Sequence, residues 1–315
     1  MHAPILLDYR AKPSFLAFVA QMWRPKAGFD ASAGMPAIEA RWRGQRSSPG
    51  ELADYCALSG LAAGGDLSIL YPHTLSFPML MAVLSHPAFP LPIWRVLQVR
   101  NRMTQHAAIA PDAVLDFAVR TGESRILEKG VELDLCVTTQ IQGRTVFEAV
   151  NTFYARGRFG TAQAEAPASP VVGGAAAVEW QMPAHGRLGY SRLSGDFNPL
   201  HLHDGYARRQ GFARAFAHPQ RAIGQCLAHL GAAQHAAMTL DTWIKGPVFY
   251  GADLALRAQT QPDRGVFALH VEGDERPAIV GRYQVAEPAD ANAILGTGFA
   301  PYTGGSMNNL TSGER

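Results

Sequence analysis

The chain contains 315 residues, of which 47% are hydrophobic and 17% are charged. Because an average globular protein has about 25% charged residues, this composition excludes a disordered polymer and predicts a chain that buries most of its length. The 28 Lys and Arg residues nearly balance the 26 Asp and Glu residues, and the net charge of +2 requires neither nucleic acid nor an anionic membrane as a partner. A chain of this length is expected to form about two domains.

The cysteine content predicts a reducing compartment. Cys56, Cys136 and Cys226 are an odd and widely spaced set, which fits neither a disulfide framework nor a zinc module. Residues 15–23 are apolar, but an acidic residue precedes them and basic residues follow at once, which is a poor match to a secretory signal. We therefore expect a cytoplasmic protein.

The first half of the chain is predicted to contain an apolar helix followed by a hairpin. Residues 67–94 are largely apolar and contain no Asp, Glu, Lys or Arg. Their prolines would break a lipid-exposed helix, so the segment is expected inside the protein. Residues 75–84 within it are helix-like. Apolar side chains alternate over 131–137, a Gln-Gly turn follows at 142–143, and 145–154 form a β-branched return strand.

A similar order of elements is predicted for the second half. A linker rich in Ala, Pro and Gly spans residues 161–178. Residues 220–230 place apolar side chains on one helical face, and alternating segments at 254–258 and 267–271 flank a turn. The tail from 288 to 315 is rich in small and polar residues and is expected to be mobile.

A short internal repeat indicates that the two halves are related. Residues 55–61 (YCALSGL) match residues 190–196 (YSRLSGD) at Tyr, Leu, Ser and Gly. Each copy precedes an apolar helix and alternating strands, so each half is interpreted as an α+β layer in which an antiparallel sheet wraps a helix. The predicted division is an N-terminal repeat at 1–160, a linker at 161–178, a C-terminal repeat at 179–287 and the tail at 288–315.

The segment that carries chemistry is residues 190–212, YSRLSGDFNPLHLHDGYARRQGF. It places Asp196, Asn198, His201 and His203 among Gly and Pro turn formers. Because a proline follows Asn198, the backbone there is non-helical, and a tight loop is expected to bring Asp196 and His201 together. A carboxylate and an imidazole directed at one water make an acid–base pair that works near neutral pH.

Residues 194–201 (SGDFNPLH), with Tyr190 before them and Ala217-His218 after them, resemble the hydratase motif of the MaoC-like dehydratases, the R-specific enoyl-CoA hydratases. In its helices, strand order and repeat, most of the chain resembles the double hot-dog form of that family, in which the first half has lost the motif. Leu61 stands in the repeat where Asp196 stands in the second copy. The resemblance implies an α+β fold of two repeats, each with an antiparallel sheet wrapped around a central helix.

The same resemblance implies a lyase. It would add water in the syn sense to a trans-2-enoyl thioester to give a 3R-hydroxyacyl thioester, or catalyse the reverse dehydration. Asp196 and His201 would hold and activate the water, and Asn198 would orient it. The arginines near the motif are expected to contact the phosphates of coenzyme A. The candidate substrate-binding residues are Ser194, Gly195, His218, Gln220, Arg208, Arg209 and Arg221.

One position departs from the family. After Ala217-His218 the family continues with Gly-Met, and the glycine amide donates to the thioester oxygen, whereas Pro219-Gln220 follows here. Proline has no amide proton. Because loss of an oxyanion donor costs about a hundred- to a thousandfold in rate, either another amide such as that of Gln220 replaces it, or the activity is weak or redirected.

Blander interpretations stand beside these. Asp196 and Asn198 are also typical turn residues, His201 alone could be a core histidine, and no base is placed to make Ser194 a nucleophile. His201 and His203 match the start of a cupin metal motif, but the downstream Glu is absent and a proline interrupts the strand, so neither a metal nor another cofactor is expected. A solvated helix face is the simpler meaning of any single arginine.

The expected partner is a thioester of coenzyme A or of acyl carrier protein, without nucleic acid and without a membrane span. A homodimer is also expected, because sheet edges commonly pair in such folds. Two alternatives remain open: a noncatalytic or altered thioester-binding protein, in which Pro219 disables or redirects the oxyanion site, and a hot-dog thioesterase.

Overall fold

The computed structural model of the protein describes residues 4–232 and 236–286. The predicted tail, 288–315, lies outside the described residues. The helices are α1 (Phe15–Met22), α2 (Pro49–Ser59), α3 (Leu70–Ser85), α4 (Arg187–Ser194), α5 (Asp204–Arg209) and α6 (Pro219–His229). The strands are β1 (Ile5–Tyr9), β2 (Ile38–Gln45), β3 (Leu97–Gln105), β4 (Leu115–Leu127), β5 (Gly130–Ile141), β6 (Arg144–Arg156), β7 (Val178–Gln181), β8 (Met238–Ile244), β9 (Asp253–Gln261), β10 (Arg264–Val271) and β11 (Ile279–Val285).

These strands form one continuous sheet in the order β1-β2-β4-β5-β6-β3-β8-β11-β10-β9-β7. The strands of the first half and those of the second meet at the antiparallel pair of β3 and β8, where Arg100 lies opposite Trp243 and Gln105 opposite Met238. The pair of β1 and β2 is parallel, and the other pairs described are antiparallel. The predicted α+β layering is present, with both halves sharing one sheet.

Helix α3 is the central helix of the first half and is almost wholly buried. It packs against β2, β4 and β5, and Leu70, Met79 and Val83 are each 0% exposed. The helix predicted at 75–84 is therefore confirmed and is longer at its N-terminus, and its burial agrees with the interpretation of 67–94 as an interior segment. No helix in the described part of the chain is long and apolar enough to cross a membrane.

The two predicted hairpins are present. Between β5 and β6, Gln142 has φ 51° and Gly143 has φ 80°, so both central residues of the turn are left-handed. This is the conformation of a type I′ turn, whose twist matches the flanking strands, and it explains why a Gln-Gly pair closes the hairpin. The second hairpin joins β9 to β10 through residues 262–263, as predicted from the alternation on either side.

The internal repeat seen in the sequence is also present in the structure. Residues 55–61 and 190–196 each cover the end of a helix, α2 in the first half and α4 in the second. Both helices end at a glycine in the left-handed conformation, Gly60 with φ 70° and Gly195 with φ 73°. Because a side chain would be strained in this conformation, the Ser-Gly pair shared by the two copies is a helix C-cap.

A further correspondence lies at the start of the central helices. The ring centroids of Tyr55 and Tyr71 are 4.8 Å apart, and those of Tyr190 and His218 are 4.9 Å apart. A proline follows Tyr71, and another follows His218. Tyr71 is therefore the first-half counterpart of His218, although the connection between the helices is longer in the second half.

Residues 161–177, most of the predicted linker, contain neither helix nor strand. They are nevertheless held on the sheet of the second half. Trp243 Nε1 donates to the carbonyl of Pro167 at 3.0 Å, and Val172 packs against Trp243, Ala268 and Val280. The connection therefore covers apolar side chains of β8, β10 and β11.

A chain of hydrogen-bonded polar side chains joins the start of α3 to the start of α6, the central helix of the second half. His73 of α3 is hydrogen-bonded through Nε2 to Asn151 Oδ1 at 2.5 Å, and Gln98 Nε2 donates to that oxygen at 3.0 Å and to Asn101 Oδ1 at 2.7 Å. Gln220 of α6 donates through Nε2 to Gln98 Oε1 at 2.9 Å. Since an amide oxygen only accepts, His73 carries its proton on Nε2.

We expect His73 to make the folding free energy pH-dependent. Burial lowers its pKa from 6.5 to about 4 in the folded protein, although the hydrogen bond to Asn151 opposes this shift. The folded protein therefore binds fewer protons than the unfolded chain between these two values. The contribution of His73 is fully present above about pH 6.5 and is lost as the pH falls, up to about 3 kcal/mol near pH 4.

The measurement is urea unfolding at neutral and at acidic pH. The variant His73→Gln keeps an N–H donor for Asn151 but does not titrate, so we expect it to lose less stability on acidification than the wild type. His203→Gln changes an exposed histidine and is the matched control. An equal loss in the wild type and in His73→Gln would contradict the assignment.

Candidate active site

The predicted catalytic loop begins where α4 ends, and the first half of the chain sets its position. A Cβ atom on Gly195 would lie 2.6 Å from Cγ of Pro78 in α3, which is closer than real Cβ atoms approach. Only glycine therefore allows the loop to contact the helix. Asp196 follows at once, and its backbone N–H donates to Ser194 Oγ at 3.2 Å. The backbone N–H of Asn198 donates to Asp196 Oδ1 at 3.0 Å, which fixes the carboxylate.

The structure brings Asp196 and His201 together, as the sequence predicts, and adds His218 to the group. Asp196 Oδ2 lies 3.6 Å from His201 Nε2 and 3.7 Å from His218 Nε2. The two imidazole rings are stacked with centroids 4.0 Å apart. All three residues are buried, at 8%, 6% and 2% exposure respectively, so their charges are poorly screened by water.

The hydrogen bonds of the two histidines define their tautomers. His201 Nδ1 lies 2.9 Å from the carbonyl oxygen of Phe216, and His218 Nε2 lies 3.1 Å from the carbonyl oxygen of Asp196. A carbonyl oxygen only accepts, so both of these nitrogens carry a proton. In a neutral His201 the lone pair is then on Nε2, which faces Asp196 Oδ2. Both facing atoms are acceptors, and together they can bind the hydrogens of one water or hydroxyl group.

Burial tunes the acidities of this group. It raises the pKa of Asp196 above its usual value, although His201, when it is protonated, and the N–H of Asn198 act in the opposite direction. It also lowers the pKa of His218 well below the usual range, assisted by the neighbouring His201. Asp196 is therefore a stronger base than a solvated aspartate, and His218 is neutral, which suits proton transfer near neutral pH.

The same three residues are the group in the described part of the chain whose ligand atoms could share a metal, all lying within 4.8 Å of one another. Coordination through His218 Nε2 would require this nitrogen to lose the proton that it donates to the Asp196 carbonyl. His203, which the cupin comparison required beside His201, is exposed and precedes α5 outside this group.

Ser194 and Asn198 shape the loop. Ser194 Oγ donates to the carbonyl of Tyr190 at 2.9 Å while accepting from the Asp196 N–H, so it closes the end of α4. Asn198 Oδ1 accepts from the N–H of Leu200 at 3.1 Å and caps a short 3₁₀ turn over 199–201. The substrate-binding role expected of Ser194 and the water-orienting role expected of Asn198 stay predictions.

The start of α6 differs from the pattern of the family at the position expected to donate to the thioester. Pro219 is the first residue of the helix, directly after His218. Because proline has no N–H, the first backbone donor that α6 presents belongs to Gln220. The Gln220 side chain is bonded to Gln98, so its position depends on a residue that the sequence analysis did not single out.

The three candidate arginines do not share one environment. Arg208 and Arg209 are exposed on α5 and can meet an anionic ligand. Arg221 is 1% exposed, and it donates to the carbonyls of Leu58 at 2.8 Å and His185 at 3.0 Å. Backbone carbonyls therefore hold the Arg221 guanidinium inside the protein, and the phosphate-binding role expected of Arg221 stays a prediction.

Comparison with known proteins agrees with this architecture. No protein-family model matches the chain. It is 27% identical to 3-hydroxyacyl-thioester dehydratase X of Mycobacterium tuberculosis over 211 residues, which are 66% of this chain and 75% of that protein. The crystal structure of HtdX from Mycobacterium tuberculosis superposes with a TM-score of 0.68 at 20% identity, covering 79% of this chain and 100% of that one.

Two further solved structures resemble the protein. A MaoC-like dehydratase of Phytophthora capsici gives a TM-score of 0.67 at 17% identity, covering 82% of this chain and 97% of that one. A Mycobacterium tuberculosis protein with a double hot-dog fold gives 0.51 at 14% identity, covering 83% and 96%. The chain has the double hot-dog fold. The resemblance to MaoC-like dehydratases inferred from its motif is also confirmed.

Two contacts from the N-terminal segment stabilise the site, and no pattern in the sequence indicates them. Near the N-terminus, Lys12 Nζ donates to the carbonyls of Arg192 and Leu193 at the end of α4, each at 2.8 Å. Phe15 of α1 contacts Phe197 of the catalytic loop, with ring centroids 5.4 Å apart. An N-terminal segment about 180 residues away in sequence therefore holds the helix end and the loop on either side of the Asp196 carboxylate.

We expect Lys12→Met to lower kcat for the expected hydration clearly, while it lowers the Tm only slightly. The substitution removes a cation and two hydrogen bonds from the C-terminus of α4, which is worth about 1 kcal/mol, and it loosens the helix end two residues before Gly195. The measurement is kcat together with the Tm. A several-fold fall in kcat is expected.

Lys26→Met is the matched control, because Lys26 caps a different helix in the same way. Lys26 Nζ donates to the carbonyls of Ser85 and His86 at the end of α3, at 2.8 and 2.6 Å. The chemistry of this cap is the same, but the helix end is not part of the catalytic loop. If both variants change kcat equally, the Lys12 contact has no special role at the site.

Proposed function

We propose that the chain is an enzyme, a hydratase or dehydratase that adds water reversibly to a trans-2-enoyl thioester and gives a 3R-hydroxyacyl thioester. The observation that carries the proposal is the approach of the Asp196 carboxylate and the His201 Nε2 lone pair to each other inside a buried loop. Two acceptor atoms at this separation suit one water between them. The dehydratase named in Mycobacterium tuberculosis supports the choice of a 3-hydroxyacyl thioester.

The proposed reaction balances on these residues. The oxygen of the water bonds to the β-carbon, one of its protons passes to the Asp196–His201 pair, and the electrons of the double bond move onto the thioester carbonyl. The pair then returns a proton to the α-carbon. Because one group takes and returns the proton, both parts of the water arrive on one face, which gives the syn addition.

The enolate oxygen formed in this step requires hydrogen-bond donors. In this protein we propose the backbone N–H of Gln220 at the start of α6, where the helix dipole also favours negative charge. Arg208 and Arg209 are proposed to contact the anionic part of a coenzyme A or acyl carrier protein thioester. The cytoplasmic location and the homodimer stay predictions.

We expect Asp196→Asn and His201→Gln each to reduce hydration by about a hundredfold or more, because each removes one of the two acceptors that activate the water. The measurement is the loss of enoyl absorbance with a series of short to long trans-2-enoyl-CoAs. Asp263→Asn, an exposed carboxylate at the β9–β10 turn, is the matched control. Near-normal hydration by Asp196→Asn would remove the mechanism.

The raised pKa of Asp196 adds a second readout. Its folded-state pKa lies above the unfolded value, so its ionised form opposes folding once the pH exceeds both values. Asp196→Asn should therefore have a higher Tm than the wild type at neutral pH while losing activity. In the wild type, kcat/KM should fall on the acid side at a higher pH than an ordinary aspartate would give.

The alternatives have their own outcomes in this assay. A wild type that binds acyl-CoA without hydrating enoyl-CoA would be the noncatalytic or altered thioester-binding protein. Release of free coenzyme A would identify a thioesterase.

We expect Pro219→Gly to raise kcat on enoyl-CoA, because it restores an N–H donor to the first position of α6. Loss of one such donor typically costs about a hundred- to a thousandfold in rate, so the gain in kcat should not exceed this range. Pro72→Gly makes the same change after Tyr71 in the first half and should leave kcat unchanged. An unaltered kcat in Pro219→Gly would show that the missing donor is not rate-limiting and that the amide of Gln220 suffices.

A further inference from the structure

A cavity of about 220 Å³ lies in the first half of the chain, between α2 and the start of α3. Its walls include Leu52, Tyr55, Cys56, Leu61 and Tyr71. None of the three residues of the acid–base group lines it. The cavity is therefore separate from the site at which water would be activated.

The internal repeat shows what this cavity corresponds to. Tyr55 and Tyr71 are the counterparts of Tyr190 and His218, with ring separations of 4.8 and 4.9 Å. Leu61 follows the Gly60 cap as Asp196 follows Gly195. The cavity is bounded by the same helix end, the same loop start and the same central-helix start as the acid–base site.

The chemistry of the two places is opposite. Leu61 replaces the carboxylate of the proposed Asp196–His201 pair, so the first-half cavity has no equivalent pair to activate water, and Tyr71 replaces the imidazole of His218. The hydroxyl of Tyr71 is bonded to Ser47 Oγ at 2.6 Å. Asp66 is on the wall, and no Lys or Arg is among the described residues that line it. Such walls suit an uncharged apolar group and disfavour a carboxylate.

We propose that this cavity is a second, noncatalytic binding site for the acyl chain of a thioester. The choice of a thioester, rather than another apolar ligand, rests on the proposed function, whereas the site itself rests on the cavity and the repeat. An apolar cavity of about 150 Å³ in another protein accepts benzene, so about 220 Å³ holds a short acyl chain and not a long one. Asp66 on the wall disfavours the free fatty acid, because the carboxylate of the acid carries the same negative charge.

The cavity carries its own reporter for a test on the full-length protein. Cys56 lines it and is partly exposed, whereas Cys136 and Cys226 are buried, at 8% and 0% exposure. Alkylation of Cys56 by iodoacetamide, followed by mass spectrometry, therefore measures occupancy without any turnover. Unchanged resistance of Cys136 and Cys226 shows that each variant is folded.

Hexanoyl-pantetheine is the probe, because it is saturated and cannot be hydrated. At about ten times its Kd, it should slow alkylation of Cys56 about tenfold. Pantetheine alone and hexanoate should not slow it. Equal protection by pantetheine would overturn the acyl assignment, equal protection by hexanoate would overturn the thioester assignment, and no protection would overturn the site.

Two variants of α2 locate the protection. Ala53 is exposed and lines the cavity, so Ala53→Trp should fill it and abolish protection while hydration is unchanged. Ala57 is exposed on the same helix outside the lining, and Ala57→Trp should keep protection. Asp196→Asn should also keep it, because the ligand is not in the acid–base site. Protection that survives Ala53→Trp, or that is lost in Asp196→Asn, would overturn the proposal, whereas a failed hydration assay would affect only the proposed function.

Discussion

The arrangement of the protein depends on a reciprocal contact in which each half presses a helix end against the central helix of the other. A Cβ on Gly195 would lie 2.6 Å from Pro78 of α3, and a Cβ on Gly60 would lie 3.2 Å from Gln225 of α6. Both positions also have positive φ, so glycine meets a conformational and a steric demand at once. The Asp196 carboxylate follows directly after one of these contacts and takes its position from the other half of the chain.

Burial of that carboxylate connects stability to chemistry. Asp196 is removed from water, and burial keeps the neighbouring His218 neutral by lowering its pKa, so the ionised carboxylate of Asp196 is poorly compensated. The ionised carboxylate therefore lowers the free energy of unfolding. The loop keeps its conformation despite this cost because other contacts hold it: the Ser194 cap, the N–H of Asn198 and the Lys12 contact at the helix end.

The sequence predicts best what short-range contacts determine. The Gln142-Gly143 turn and the acid–base loop follow from neighbouring residues, since left-handed turns and an Asn-Pro step restrict the backbone locally. Lys12 and Gln98 were not found, because each acts on residues more than a hundred positions away. The same holds for Arg221: its place on α6 is evident from the sequence, but the Leu58 and His185 carbonyls to which it donates are not.

The parallel pairing of β1 with β2 at one sheet edge was likewise not predicted, because parallel strands are joined by long connections that leave no local pattern. The match between Tyr71 and His218 also required the structure. The two connections differ in length, so the copies drift out of alignment after the helix caps, and only the equal ring separations show the correspondence.

Residues 161–177 have a consequence beyond joining two halves. The β3–β8 junction could equally hold two separate copies of one chain together, as in a symmetric dimer whose two sites must share one sequence. A covalent connection keeps the halves at a high effective concentration, so the junction can persist while their sequences differ. Leu61 and Tyr71 can then occupy positions that hold Asp196 and His218 in the other half, and one molecule can contain two unlike sites at a fixed ratio of one to one.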